Sequence, residues 1–328
     1  MLVAVLLFIL GLVMLIFGGD WFVDGAVGIA RRLKMSELII GATVVAIGTT
    51  LPEVMVSVTA AFEGYSATAY GNAIGSVICN TALISAVTMA VRPSEVDKKT
   101  LRLPLAFFFG AAAVYATVAY TSGSFSRLMG VGLLVVFVAY MFALIIASRR
   151  AGKKLEPHAE GDGAEPEEAP QGKAWKDIFL LVLGAGLIAG GAKLLVDNGT
   201  KIALGIGVPE SVVALTFVAL GTSLPELVTA ITSLVKGHSA LSLGNIIGAN
   251  LFNIVLVSGA AMTVSPFTLP TEKLIGGMNA SLAVDIPVMG AVMLIMALPA
   301  LLRGKVSRWQ GIILLCIYVG YCVFQFAL

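Results

Sequence analysis

One six-residue segment occurs twice with a single change, as Gly48-Thr49-Thr50-Leu51-Pro52-Glu53 and Gly221-Thr222-Ser223-Leu224-Pro225-Glu226. Each copy sets a proline and a carboxylate inside a stretch otherwise apolar enough to cross a bilayer. Proline lacks an N–H and interrupts the helical ladder, so carbonyl oxygens are freed beside it. A carboxylate at membrane depth costs about 2.5–3.5 kcal/mol on insertion scales and is rarely there without a partner. Because the chain carries the arrangement twice, the two glutamates are expected to meet and hold a cation.

Composition sets the frame for that expectation. Hydrophobic residues make up 58% of the 328 and charged residues only 12%, and mean hydropathy is +0.98. Apolar stretches of about 20 residues recur along nearly the whole length, which reads as an all-α polytopic membrane protein in a lipid bilayer. The net charge of +2 gives no reason to expect nucleic acid. Cys79, Cys316 and Cys322 lack metal-ligand spacing and read as small apolar fillers. The N-terminus opens directly in an apolar run and reads as a first span rather than a removed signal peptide.

Ten spans are expected: Leu2–Phe22 with an amphipathic tail to Arg32, Ser36–Phe62, Thr68–Val91, Leu101–Tyr120, Ser126–Ala147, then 177–198, 209–235, 240–263, 283–302 and 308–327. A polar linker, 148–176, separates two units, 1–147 and 177–328. A shift of 173 positions, the offset between Glu53 and Glu226, also superposes Asp24 on Asp197, Glu37 on Glu210, Thr43 on Thr216, Asn72 on Asn245, Gly75 on Gly248 and Asn80 on Asn253. No gap is needed, so the segments 41–80 and 214–253 are copies of one motif, and duplication is the natural reading. A unit of five spans is odd, so the second copy must cross in the opposite sense. Charge tests this independently. With the N-terminus outside, all of the 21 basic residues except Arg127, Lys193, Lys201 and Lys273 fall in inner loops. Both termini outside and a cytoplasmic central loop are therefore expected, in a cell membrane. Inverted repeats with interrupted helices are the architecture of secondary transporters, with the substrate held near the midplane where the repeats meet.

Two facing glutamates in low dielectric require a divalent cation, two monovalent cations, or protons. Thr49, Thr50, Thr222 and Ser223 add hydroxyls within one turn of the breaks, the carbonyls of Ala46 and Ala219 are candidates for the freed oxygens, and Asn80 and Asn253 offer amide oxygens from the partner spans. Every candidate ligand is an oxygen, which suits Ca2+ or Na+ and not Zn2+ or Cu+. Asp24 and Asp197 read as interfacial anchors, Asp285 before Pro287 as a helix start, and His158 and His238 as solvated.

The run Gly41-Ala42-Thr43-Val44-Val45-Ala46-Ile47-Gly48-Thr49-Thr50-Leu51-Pro52-Glu53 with Gly71-Asn72-Ala73-Ile74-Gly75-Ser76 resembles the first α-repeat of the calcium/cation antiporter superfamily. Val218-Ala219-Leu220-Gly221-Thr222-Ser223-Leu224-Pro225-Glu226 with Gly244-Asn245-Ile246-Ile247-Gly248 resembles the second. Within that superfamily the chain is similar to the prokaryotic sodium/calcium exchangers over all ten spans. The resemblance implies Na+/Ca2+ antiport by a monomer, driven by an ion gradient, with no cofactor, ATP or catalytic nucleophile. It implies that Glu53 and Glu226 hold Ca2+ with main-chain oxygens at Thr49 and Thr222. An inner Na+ would use Ala46, Thr50, Glu53 and Ser76, and an outer one Ala219, Ser223, Glu226 and residue 249. The first and sixth spans would slide across the other eight.

Two departures from the family pattern stand out. Position 249 is Ala where Ser76 and the family offer a hydroxyl, so the outer Na+ site loses a ligand. Position 253 is Asn where prokaryotic relatives often carry Asp, and an amide holds no proton. A proton/calcium antiporter is the nearest alternative, since H+ could neutralise the same glutamates, but those relatives carry Glu where this chain has Ser76 and Ala249. A cation channel would not need the inverted, broken-helix repeat. An intramembrane protease would need a buried Ser/His or paired-Asp site, for which neither histidine is placed.

Overall fold

The computed structural model describes residues 2–33, 35–155, 174–206, 221–270 and 274–327. Its helices in chain order are α1 (Leu2–Arg32), α2 (Glu37–Phe62), α3 (Ser66–Val91), α4 (Lys98–Thr121), α5 (Arg127–Leu155), α6 (Ala174–Gly205), α7 (Leu224–Val235), α8 (Ser239–Val264), α9 (Ser281–Arg303) and α10 (Arg308–Ala327). Among the described residues, eight helices are long and apolar enough to cross a membrane, and α7 is shorter. The expected first span and its amphipathic tail form one continuous helix, since nothing between Phe22 and Arg32 breaks the ladder. Helix α5 runs on to Leu155, well into the stretch expected to be linker, while α6 overlaps only its end from Ala174, because Arg, Lys and Ala residues past the apolar core are good helix formers.

Helix ends follow ordinary capping. Ser36 opens α2, its side chain accepting from the Ile39 N–H. Asp97 opens α4, accepting from the N–H groups of Lys99 at 3.0 Å and Thr100 at 3.2 Å. Gly304, at φ 70°, closes α9 in the left-handed conformation that glycine adopts without strain. Among the described residues four helices contain a π-helical turn: Gly41–Val45 in α2, Asn80–Ser85 in α3, Asn253–Val257 in α8 and Ser281–Asp285 in α9.

Helices α1 and α6 pack backbone against backbone and antiparallel. A Cβ on Gly11 would lie 2.8 Å from the Gly191 carbonyl, one on Gly18 2.9 Å from Leu187, and one on Gly25 2.5 Å from the Leu181 nitrogen. Gly11, Gly18 and Gly25 are seven residues apart, so they form one stripe down α1. The pair is tied by Arg32 and Asp177, and to α7 by Lys236, whose ammonium reaches Asp24 at 2.7 Å. The larger core gathers around α8, the most deeply buried span, with Tyr115, Tyr140, Phe108, Phe125 and Phe252 filling the space between helices.

Short antiparallel ladders tie the loops at the two ends. The α3–α4 loop meets the α9–α10 loop, Ser94 opposite Val306 and Glu95 opposite Lys305. The α4–α5 loop meets the α8–α9 loop, Ser124 opposite Thr268 and Phe125 opposite Phe267.

Candidate functional site

The duplicated motifs sit where α2, α3, α7 and α8 converge. Helices α2 and α8 cross with almost no side chain between them. A Cβ on Gly244 would lie 2.2 Å from the Leu38 carbonyl, and one on Gly248 2.7 Å from the Ala42 Cα. Glycine at these positions lets two polar-bearing backbones touch.

The two prolines act differently. Pro52 lies inside α2, which continues through it. Its missing N–H is the one that would pair with Gly48, so the carbonyl released there belongs to Gly48, two residues after the sequence candidate Ala46. The Ala46 carbonyl stands 3.5 Å from the Thr49 hydroxyl. Pro225 instead lies in the first turn of α7, where an N–H has no helical partner in any case. Ala219 lies outside the described residues.

From this scaffold Glu53 and Glu226 project into the interior, both fully buried and within electrostatic reach of one another. Among the described residues none of their four carboxylate oxygens has a partner at hydrogen-bond geometry, although the Thr49 hydroxyl is close enough to Glu226 to bear on its charge. Asn80 and Asn253 are also fully buried, and neither end of either amide has a partner. Each of these asparagines is the first residue of a π-helical turn, so that local distortion is repeated in the two halves. Thr50 Oγ1 is buried and unpartnered as well. Ser76 and Ser223 are buried, Thr222 is half-buried, and Ala249 is fully enclosed. Ser76 and Asn80 share one face of α3 at i, i+4, and Ala249 and Asn253 share one face of α8 by the same spacing.

Two residues outside the candidate ligand set tie the halves together. The Thr49 hydroxyl donates to Asn245 Oδ1 at 3.2 Å, and the Thr222 hydroxyl to Asn72 Oδ1 at 3.4 Å. These contacts correspond under the 173-residue shift. Asn72 also donates to the Glu53 carbonyl at 3.1 Å and to Ser57 at 2.9 Å, so it holds the backbone that carries the carboxylate. Thr229 and Ser233, one and two turns beyond Glu226, are further buried hydroxyls without partners. Behind the site Asn250 donates to Thr81 at 2.7 Å and lies 3.1 Å from the Met293 sulfur.

Such a cluster has a direct electrostatic meaning. An ionised carboxylate stripped of water and left without donors is costly, by several kcal/mol per ion even after relaxation. Oxygens that converge without donors are satisfied by a cation or by protons. Among the described residues, no third Asp or Glu and no His or Cys joins the pair as a metal-holding group, so the donor set is hard oxygen throughout.

The remaining titratable expectations sort cleanly. Asp24 and Asp197 each lie about two turns inside the C-terminal end of α1 and α6 and make ion pairs, Asp24 with Lys236 and Asp197 with Lys193 one turn away on its own helix. Asp285 does not cap α9. It ends a π-helical turn that begins at Ser281 and accepts from Tyr321 at 3.1 Å and Gln325 at 2.8 Å. His238 is only partly exposed, and its Nδ1 lies 2.7 Å from Glu37 on the α2 helix that packs against α8. His158 lies outside the described residues.

Comparison with known proteins places this geometry. The family described as "Sodium/calcium exchanger protein" matches residues 3–146 and 176–327. The sodium/calcium exchanger MaX1 of Methanosarcina acetivorans is 31% identical over 98% of this chain and 98% of its own. A membrane protein of Methanocaldococcus jannaschii is 33% identical over 95% of this chain and 94% of its own. A solved structure of the sodium–calcium exchanger NCX_Mj aligns with a TM-score of 0.79 at 31% identity, covering 97% of each chain.

Proposed function

The chain belongs to the sodium/calcium exchanger family and is a multi-pass membrane cation antiporter rather than an enzyme, and from that premise we propose that it exchanges Na+ for Ca2+ at a site centred on Glu53 and Glu226. The observation that carries the proposal is the set of four buried carboxylate oxygens that, among the described residues, no donor meets at hydrogen-bond geometry, together with the two unpartnered amides of Asn80 and Asn253. Ca2+ takes both carboxylates at once, with main-chain oxygens at Thr49 and Thr222. Na+ takes one carboxylate each, one ion with Ala46, Thr50 and Ser76 and the other with Ala219 and Ser223. Asn80 and Asn253 face the ions as neutral oxygens. Since both cations need the same two glutamates, they displace each other, and that competition couples their movements.

The proposed architecture is two inverted five-helix repeats, 1–147 and 177–328, ten spans in all, joined by a cytoplasmic segment 148–176. Both termini lie outside. The ladder between Ser94 and Val306 and that between Ser124 and Thr268 support this reading, because the loop after α3 and the loop after α8, which correspond in the repeat, sit at opposite ends of α4. All ligands come from one chain, so a monomer suffices. Access alternates as α1 and α6, packed on one another through their glycines, slide against the remaining helices.

The test is Na+-gradient-driven 45Ca2+ uptake into liposomes at fixed pH. Removing one of two carboxylates from a buried charge site costs at least about 3 kcal/mol, roughly a hundredfold in Ca2+ affinity, so Glu53→Gln and Glu226→Gln should abolish exchange. Normal exchange by either variant overturns the site. Uptake that follows an imposed pH gradient and ignores Na+ overturns the choice of counter-ion.

A further inference from the structure

We propose that a second site, which none of the candidate cation ligands lines, binds a phosphate oxyanion at the start of α8. Its observations are independent of which cations are exchanged. A crevice there is lined by Thr88, Arg92, Ser94, Leu234, Ser239 and Ser242. Helix α8 begins at Ser239, and the residue before it, His238, supplies no side-chain cap. A helix N-terminus of this length without a cap presents backbone N–H groups and a partial positive charge to whatever fills the space before it.

Three further features point to an anion. Ser242 Oγ is buried, the residue being 2% exposed, and has no partner although it lines the crevice. Arg92 lines the crevice, and one guanidinium nitrogen donates to the Leu234 carbonyl at 3.2 Å, which anchors the side chain at its wall. Of the nearby carboxylates, Glu37 is engaged by His238 and Glu95 stands opposite Lys305 on the short ladder. Lys98, Arg102, Arg303 and Arg308 flank the same end of the molecule in sequence, a basic setting of the kind that receives phosphorylated headgroups between membrane helices.

The enclosed part of the crevice is small, about 20 Å3. That admits one oxygen-sized group. A tetrahedral phosphate fits by inserting one oxygen between Ser242 and the α8 N–H groups while the others face Arg92 at the mouth. A phosphate that is part of an anionic lipid and a free phosphate share this chemistry. Either would bridge the end of α3 to the start of α8, the helices that carry Asn80 and Asn253.

The experiment measures the unfolding temperature of the full-length protein in neutral detergent. One arm adds inorganic phosphate against chloride at matched ionic strength. The other adds phosphatidylglycerol against a glycolipid without phosphate. The wild type should be stabilised in at least one arm, a response in the lipid arm alone identifying the lipid as the source. Arg92→Gln and Ser242→Ala should each lose the shift, while Lys99→Gln, a basic residue outside the crevice, should keep it. No shift in either arm, or a shift that survives intact in Arg92→Gln or Ser242→Ala, overturns the proposal. Because no transport is measured, its failure leaves the exchange reading untouched, and inactive glutamate variants leave this site untouched.

Discussion

Ser76 and Ala249 occupy corresponding places beside the two carboxylates, and only one of them carries a hydroxyl. Ala249 is fully buried, so no water replaces the missing oxygen from the surface. A Ser at 249 adds one oxygen on the α8 face that bears Asn253, and one added neutral ligand is worth about 1 kcal/mol, roughly fivefold in affinity. Ala249→Ser is therefore expected to lower the Na+ concentration needed for half-maximal Ca2+ exchange by about that factor, read from Na+ titration of liposome flux; an unchanged titration would mean that 249 does not face a Na+ site. At this scale much of the candidate site was legible in the sequence. A carboxylate beside a proline is anomalous in an apolar span, and duplication separates a meaningful anomaly from a stray one. The orienting contacts were not legible. Asn72 and Asn245 stood out as repeated residues, but only the crossing of four helices sets them against Thr222 and Thr49. The group of Thr81, Asn250 and Met293 had no signal at all, because the repeat counterparts of the first two are the apolar Ile254 and Val77.

Among the helices, the clearest constraint is the glycine stripe of α1. Its close approach to α6 leaves no room at Gly25, where a Cβ would meet the Leu181 nitrogen at 2.5 Å and the Asp177 carbonyl at 2.6 Å. Gly132 on α5 has nothing within 4 Å of the same added atom. Overpacking against backbone costs about 1–3 kcal/mol, whereas Ala in an open helical position gains up to about 1 kcal/mol over Gly. Gly25→Ala should thus lower the unfolding temperature of the purified protein while Gly132→Ala leaves it level or raises it, and equal effects would show that α1 and α6 do not pack this tightly. Helix α4 offers a pH-dependent counterpart. The Asp97 carboxyl accepts from the Thr100 hydroxyl and from the N–H groups of Lys99 and Thr100, and these bonds hold it below the ordinary carboxylate range. A group whose pKa is lowered on folding contributes stability above its unfolded value, about 3.9, and loses it as pH falls through the lower folded value. Asp97→Ala should cost about 1 kcal/mol near neutral pH, as loss of a helix cap does, and the gap between the two proteins should narrow as pH falls through the lowered folded value; a gap that persists unchanged in acid would assign the loss to packing rather than to the charged cap.

Across the whole molecule, the five spans expected per repeat and the distribution of basic residues would both require inversion, and neither depends on how the helices pack. What the sequence could not supply was the pairing of loops, since two-residue ladders between segments more than 140 positions apart leave no periodic trace. Those ladders turn the topology into a sidedness experiment. Glu95 faces Lys305 at one end of the molecule, and Ser124 faces Thr268 at the other. In a background with Cys79, Cys316 and Cys322 replaced by Ala, single cysteines at Glu95, Lys305, Ser122 and Thr268 would be probed in intact cells with a membrane-impermeant maleimide. Inverted repeats with outer termini require Ser122→Cys and Thr268→Cys to label at once, and Glu95→Cys and Lys305→Cys to label only after the membrane is opened. The opposite pattern would reverse the orientation but keep the inversion. Labelling of Thr268→Cys from the same side as Glu95→Cys would make the repeats parallel. The pseudo-two-fold relation would then be lost, and with it the reason for Glu53 and Glu226 to approach one ion from opposite sides of the membrane.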